Sequence, residues 1–197
     1  LGGLMLLDSE GKFSVENSLG DYLPYFRNSN KGKLFMKDLL THQAGLKDWI
    51  PFWKETVRSD SSFRRRTFTC DESDDFPIKV ADNLYIHKNY RNKIMNEIRK
   101  SPLGPKKYVY SDLTFIISTG IIDRLSGEEW VEYITRNLYH KLGAYDICFN
   151  PYLKYPLHRI VPTEYDSLFR RQLLHGTVHD EGAAMLGGIS GHAGLFA

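Results

Sequence analysis

A phenol, a hydroxyl and a carboxylate follow one another at Tyr110, Ser111 and Asp112, just before a long apolar segment. A phenol ionises at about pH 10 in water, so Tyr110 accepts a proton at neutral pH only where a cation such as a lysine ammonium favours the phenolate. The triplet ends an extended segment where a buried helix begins, and such a junction gives a proton-transfer group a rigid support. The alternative is a structural role, because the chain has 12 tyrosines.

Three further segments combine polar side chains with glycines or with one another: Leu39–Leu46 (LLTHQAGL), Val178–Glu181 (VHDE) and Gly191–Phe196 (GHAGLF). Together with the Tyr-Ser-Asp triplet, and in this order, they resemble the serine β-lactamase and penicillin-binding protein superfamily, in its class C-like branch. The resemblance covers most of the chain and is poorest over residues 47–107. No motif is specific alone, so the order of the four carries the resemblance.

The resemblance implies a serine hydrolase that forms an acyl-enzyme on a β-lactam, a cell-wall peptide or a small ester. The nucleophile of this family lies in a Ser-x-x-Lys motif, which we do not expect in this chain. The apolar run Leu1–Leu7 resembles the continuation of the helix that begins with this motif, so we expect the motif shortly upstream and the chain to be an internal, inactive fragment. The alternative is a non-catalytic binding module on the same fold.

The resemblance also implies roles for individual residues. Tyr110 would share the serine proton with a lysine, Asp112 would hold that lysine, and Ser111 and His192 would contact the substrate. Asp112 replaces the commoner Asn of the motif, and an ionised carboxylate accepts hydrogen bonds without donating any. It therefore disfavours acylamide substrates such as β-lactams. The alternative, which can hold at the same time, is that Asp112 caps the helix that begins at Leu113.

Residues 47–107 predict an insertion or a flap over the rim of the active site. Trp49 and Trp53 lie in this region and are candidates for substrate binding. The equally weighted alternative is a local hydrophobic cluster. A helix is predicted near Lys88–Lys100, with Tyr90, Ile94 and Ile98 on one face.

The histidines do not predict a metal site. His179, Asp180 and Glu181 are adjacent, and neighbouring side chains diverge on a helix or a strand. We interpret this run as a structural hydrogen-bonding cluster near the rim of the active site, and His42 as a residue that bonds across to a loop. We expect neither a metal nor another cofactor.

The composition gives no indication of nucleic-acid binding or of a membrane span. The chain has 197 residues, a hydrophobic fraction of 42% and a net charge of +2, which gives no reason to propose a nucleic-acid partner. No stretch approaches the roughly 18 apolar residues of a membrane span, so membrane association could come only from flanking segments. The resemblance implies the periplasm or the cell envelope. Cys70 and Cys148 are predicted to be free thiols.

The predicted fold is α+β, of the β-lactamase/DD-peptidase type, with residues 1–197 forming one partial domain. This part would be mainly the helical subdomain, with few strands. Its central element is a helix over Leu113–Leu125 that is apolar nearly all round. Ser126–Glu129 has the spacing of a capping box, which predicts that the next helix begins there.

Overall fold

The helices and strands lie in two units of the chain, as seen in a computed structural model that describes residues 1–197. The first unit contains Leu1–Ile50 and Met95–Tyr145, and the second contains Pro51–Ile94 and Asp146–Ala197. Helices account for 38% of the residues and strands for 12%. The prediction of an α+β fold that is mainly helical with few strands is therefore confirmed.

The first unit is helical. Its α-helices are α1 (Gly2–Ser9), α2 (Leu19–Tyr22), α3 (Met36–Leu40), the second half of α4 (Tyr90–Lys100), α5 (Leu113–Ser126) and α6 (Trp130–Ile134). Short 3-10 turns span Pro24–Phe26 and His140–Leu142, and a π-helical turn spans Thr135–Tyr139. None of the helices has the length and apolar character needed to cross a membrane.

The second unit holds all the strands, in three small antiparallel sheets. Strands β1 (Phe68–Thr69), β2 (Ile78–Ala81) and β3 (Leu84–Ile86) form a sheet in the order β1-β3-β2. The two-stranded sheets pair β4 (Cys148–Phe149) with β7 (Leu195–Phe196), and β5 (Tyr165–Asp166) with β6 (Gln172–Leu173). Helix α7 (Glu181–Met185) and 3-10 turns at Phe52–Thr56, Pro151–Leu153 and Leu157–Arg159 complete the unit. Cys70 and Cys148 are free, as predicted.

Helix α5 forms the centre of the first unit because it is apolar on nearly every side. Leu113, Ile117 and Ile121 are each at most 1% exposed. Helix α1 packs against α5 so closely that a Cβ atom added at Gly3 would lie 2.7 Å from the Cδ1 of Ile122. The helix predicted over Leu113–Leu125 is confirmed.

The predicted capping box at Ser126–Glu129 is wrong. Gly127 adopts a left-handed conformation (φ 78°) and ends α5, so Ser126 is the last residue of that helix. Helix α6 begins at Trp130, whose N–H donates to the Asp123 carboxylate at 2.7 Å. Asp123, a side chain of the preceding helix, therefore accepts the hydrogen bond at the start of α6 that the spacing had predicted for Ser126.

Helix α4 confirms the predicted apolar stripe, since Tyr90, Ile94 and Ile98 are all buried. Its last turn is held by Lys31, which is fully buried. The Lys31 ammonium donates to the carbonyl of Ser101 at 2.5 Å and to that of Arg99 at 3.4 Å. A cation at the C-terminal end of a helix interacts favourably with the helix dipole.

Lys31→Met tests this buried amine. Burial lowers the pKa of Lys31 to about 8, while an unfolded lysine titrates at about 10.4. Between these values the unfolded chain binds a proton that the folded chain does not, so the stability that the wild type owes to Lys31 rises with pH. We expect Lys31→Met to be destabilised by about 0.5–3 kcal/mol, and its deficit to grow between pH 8 and pH 10 in urea unfolding. The exposed Lys33→Met is the control. A deficit that stays constant or shrinks with pH contradicts the account.

Candidate functional site

The tyrosine triplet is held along its backbone by a loop of the same unit. The carbonyl of His42 accepts the N–H of Val109 at 2.9 Å, and the carbonyl of Asp48 accepts the N–H of Asp112 at 3.2 Å. The Ser111 hydroxyl donates to the carbonyl of Lys47 at 2.6 Å. We call residues 42–48 the strap, since they bind the segment on both sides of Tyr110.

Glycine at position 45 lets the strap lie close to residues 104–112, which we call the tyrosine segment. Gly45 has φ 76°, and a Cβ atom there would lie 2.5 Å from the carbonyl oxygen of Gly104. The N–H of Gly104 donates to the carbonyl of Gly45 at 2.8 Å. Any side chain at position 45 would therefore push the two segments apart.

His42 contacts the triplet through its ring as well as its backbone. Its Nδ1 accepts the N–H of Ser111 at 3.2 Å, and its ring lies against that of Tyr110 with centroids 4.5 Å apart. The prediction that His42 bonds across to a loop is confirmed.

Tyr110 combines a fixed backbone with an accessible side chain, which is 51% exposed. Burial of its hydroxyl and the negative charge of Asp112 raise the pKa of Tyr110 above its usual value. The neighbouring Tyr108 raises it further, and no cation contributes. Within this chain the phenol is therefore protonated at neutral pH, and a proton-accepting role requires a cation from elsewhere.

Asp112 and Ser111 divide the helix-capping role differently from the prediction. Asp112 occupies the N-cap position of α5, but its side chain makes no capping hydrogen bond. The cap predicted for Asp112 is wrong: a capping residue normally has an extended backbone, whereas Asp112 already has helical angles (φ −62°, ψ −27°). Separately, the N–H of Leu113 donates to the Ser111 hydroxyl at 3.3 Å. Ser111 is 1% exposed and its hydroxyl bonds to the protein's own backbone; its predicted substrate contact stays a prediction.

The two tryptophans have different surroundings. Trp53 lies in the second unit and packs against Phe169, with ring centroids 5.8 Å apart. Phe169 also contacts Phe63 and Phe68, so Trp53 belongs to an aromatic cluster, which favours the structural alternative for this residue. Trp49 is 44% exposed in the first unit. Its predicted substrate contact stays a prediction, as does the flap role of residues 47–107.

His192 belongs to a hydrogen-bonded relay in the second unit. Its Nε2 lies 2.9 Å from Oδ1 of Asp180, and its Nδ1 lies 2.7 Å from the Ser190 hydroxyl. The same Asp180 oxygen caps α7 by accepting the N–H of Ala183 at 2.7 Å. Burial is the largest single influence and opposes the ionised form of Asp180, but His192, the N–H of Ala183 and the charge of Arg170 together outweigh it and leave the pKa of Asp180 lowered. The His192 side chain is 5% exposed and its bonds hold the Gly191–Phe196 loop; its predicted substrate contact stays a prediction.

A buried ion pair that the sequence reading missed supports this relay. Arg170 and Asp166 are fully enclosed and 2.7 Å apart. Arg170 also donates to the carbonyl of Val178 at 2.6 Å and to that of His179, so it fixes the residues just before Asp180. Opposite charges at positions i and i+4 around Phe169 were the available signal in the sequence.

No group of three or more His, Cys, Asp or Glu side chains is placed to hold a metal ion. The Nε2 atom of His175 lies 2.8 Å and 2.7 Å from the carbonyls of Leu157 and Ile160. His179 is exposed and lies 3.5 Å from Glu164.

A Ser-x-x-Lys spacing does occur at Ser9 and Lys12, although the motif was not expected in this chain. It lies at the C-terminal end of α1, where both side chains have other partners. The Ser9 hydroxyl donates to the carbonyl of Leu6 at 2.7 Å, and the Lys12 ammonium pairs with Glu10 at 2.8 Å. This spacing therefore does not form a nucleophile and its base.

A family model described as Beta-lactamase matches residues 2–196, and the chain belongs to this family. An Escherichia coli K12 protein named "Putative D-alanyl-D-alanine carboxypeptidase" is 29% identical over 215 residues, which cover 98% of this chain and 44% of that protein. A Salmonella typhimurium protein of the same name is 29% identical with the same coverage. The chain thus spans less than half the length of these relatives.

Solved structures show the same fold. A penicillin-binding protein homologue from Pyrococcus abyssi, described as octameric, matches with a TM-score of 0.59 and 16% identity, covering 98% of this chain and 38% of that one. A beta-lactamase/D-alanine carboxypeptidase from Yersinia pestis matches with a TM-score of 0.57 and 15% identity, covering 98% and 46%. The predicted family and its fold are confirmed.

Arg170→Met tests the buried ion pair. Removing one partner leaves the Asp166 carboxylate buried without its cation, which costs about 3–5 kcal/mol. Arg136→Met is the matched control, because Arg136 pairs with Glu128 at the surface and such pairs contribute at most about 1 kcal/mol.

The pH dependence of this loss has a definite sign. Burial opposes ionisation of Asp166, yet the bonds from Arg170 and two backbone N–H groups leave the pKa of Asp166 lowered. The stability this gives is present above the unfolded pKa of about 3.9 and is lost as the pH falls through the lowered value. The deficit of Arg170→Met in urea unfolding should therefore shrink towards acid pH. Equal losses in the two variants at pH 7 would contradict the buried pair.

Proposed function

We propose that this chain carries the catalytic tyrosine of a serine hydrolase that works through an acyl-enzyme. The observation that supports this most is Tyr110 itself: its side chain is half exposed, while hydrogen bonds from the strap hold the backbone on either side. A proton-transfer group needs this combination of access and fixed position. In the whole protein, a serine and a lysine outside these 197 residues would complete the site.

The proposed reaction assigns Tyr110 one task in each step. A lysine ammonium near the phenol would reverse the effect of Asp112 and favour the phenolate. The phenolate oxygen would take the serine proton as the serine oxygen attacks the substrate carbonyl, and would pass that proton to the leaving group. Water would then attack the acyl carbon and lose a proton to the same base. The bond from that carbon to the serine oxygen would break, the base would return the proton to the serine oxygen, and the acid would leave.

Asp112 bears on the choice of substrate, which we place among cell-wall peptides, β-lactams and small esters. A carboxylate can hold a lysine but cannot donate to an acylamide carbonyl. The name of the Escherichia coli relative favours a cell-wall peptide, whereas Asp112 favours esters over acylamides.

A second candidate function is a binding module on the same fold. One observation favours it: every contribution from a charged neighbour raises the pKa of Tyr110. Without an added cation, the phenol would serve as a hydrogen-bond donor to a ligand.

Tyr110→Phe in the full-length protein separates these functions. The change removes the proton carrier but keeps the ring and its contact with His42. General acid–base groups contribute about 100- to 10,000-fold in rate, so we expect an acylation rate lower by that factor and an unchanged melting temperature. Tyr108→Phe is the matched control, since Tyr108 is 71% exposed and two residues away. Near-full activity in Tyr110→Phe removes this tyrosine from the mechanism and leaves the binding module.

Asp112→Asn tests the substrate preference. The amide restores a donor to the side chain without changing its size, so we expect faster acylation by an acylamide such as nitrocefin relative to a p-nitrophenyl ester. The ratio of the two kcat/KM values is the measurement, because it cancels differences in active-enzyme concentration. An unaltered ratio means that Asp112 does not select between these substrates.

A further inference from the structure

We infer that His42 is a positioning residue that sets the orientation of the Tyr110 ring for proton transfer. This inference rests on the proposed role of Tyr110 and adds a second residue to the same site. His42 touches the tyrosine segment through its carbonyl, its Nδ1 and its ring face, and each contact restrains a different degree of freedom.

The backbone of His42 supports this role. His42 has φ 59° and lies two residues after the end of α3, in the left-handed region, which few residues other than Gly occupy and in which Asn, Asp and His are the most enriched of those few. The left-handed turn aims the His42 carbonyl at the N–H of Val109, so this uncommon conformation creates a contact with the tyrosine segment. Such conformations cluster at functional sites.

The hydrogen bond from Ser111 determines which ring nitrogen of His42 carries the proton. Because Nδ1 accepts the N–H of Ser111, it carries no proton, and the proton of the neutral ring is on Nε2. Ser111 is the residue directly after Tyr110, so this bond fixes the chain on one side of the phenol. The carbonyl bond to Val109 fixes it on the other side.

The ring face restrains the side chain of Tyr110. The two centroids are 4.5 Å apart and the planes are tilted by 41°. Phe115 of α5 lies 5.6 Å from the His42 ring and 6.3 Å from the Tyr110 ring. Tyr108 approaches the edge of His42 at 6.2 Å. The His42 ring is thus packed among three aromatic rings, and it supplies a wall against which the Tyr110 ring rests.

Loss of this wall should affect rate more than binding. A displacement of about 1 Å in a catalytic group costs up to about 100-fold in rate. We therefore expect His42→Gly, which relaxes the backbone and removes both the Nδ1 bond to Ser111 and the ring contact with Tyr110, to lower kcat by about 10- to 100-fold. The value of KM should change less than threefold. His42→Asn keeps a left-handed preference and a side-chain acceptor near Nδ1 but lacks the ring, so its kcat should lie between those of the wild type and His42→Gly.

A double-mutant cycle in the full-length protein tests the inference. Both His42 variants are made alone and with Tyr110→Phe, and kcat for a p-nitrophenyl ester is measured with the melting temperature. If His42 acts through the Tyr110 hydroxyl, changing His42 has no further effect once that hydroxyl is gone, so each double variant matches Tyr110→Phe within about threefold. A residue that only maintains the fold would lower kcat equally in both backgrounds, and that additive result overturns the inference.

The cycle also distinguishes this inference from the proposed function. Retention of activity by Tyr110→Phe alone overturns the proposed function and the role of His42 with it. A large loss in Tyr110→Phe with additive His42 effects overturns only the positioning role. His42→Asn completes the cycle if His42→Gly does not fold, and equal kcat values for wild type and His42→Asn would show that the ring contact does not position Tyr110.

Discussion

The left-handed turn at His42 is the constraint on which the candidate site depends. It places a carbonyl and a ring nitrogen of one residue against the N–H groups on both sides of Tyr110. The rest of the strap follows from it, since Gly45 can then lie against Gly104, and Asp48 can accept the N–H of Asp112. The Tyr110 side chain is half exposed on this fixed backbone, with the Asp112 carboxylate beside its hydroxyl.

In the second unit, the buried guanidinium of Arg170 likewise holds backbone groups next to a polar motif. Arg170 donates through Nε to Asp166 and through its two terminal nitrogens to the carbonyls of Val178 and His179. The carboxylate of Asp180 follows directly and links the start of α7 to His192. A buried pair of this kind contributes little net stability compared with apolar packing. Here it holds the Val178–Glu181 motif, which Asp180 links to the Gly191–Phe196 motif after nine intervening residues of chain.

The sequence was sufficient for features that depend on local pattern. Helix α5 was predicted correctly from its apolar character on all sides, and α4 from the spacing of four residues between Tyr90, Ile94 and Ile98. The family was predicted correctly from the order of four motifs. The sequence failed where a distant or preceding side chain took over a local role. Asp123 displaced Ser126 as the capping group of α6. Asp112 was predicted to cap α5, but its backbone is already helical and its side chain makes no capping bond. The Asp166–Arg170 pair and the relay of Asp180, His192 and Ser190 were not predicted, because their members are spread over residues 166–192 and meet only in the folded chain.

The ionisation of Tyr110 in the full-length protein tests the central claim most directly. Tyrosine Cζ atoms labelled with ¹³C report each phenol by NMR, and the signal that disappears in Tyr110→Phe belongs to this residue. In this chain the surroundings raise the pKa of Tyr110. A catalytic phenolate requires that the complete site lower the pKa of Tyr110 below its usual value of about 10. A titration below that value supports the account, and a titration above it would contradict a proton-accepting Tyr110.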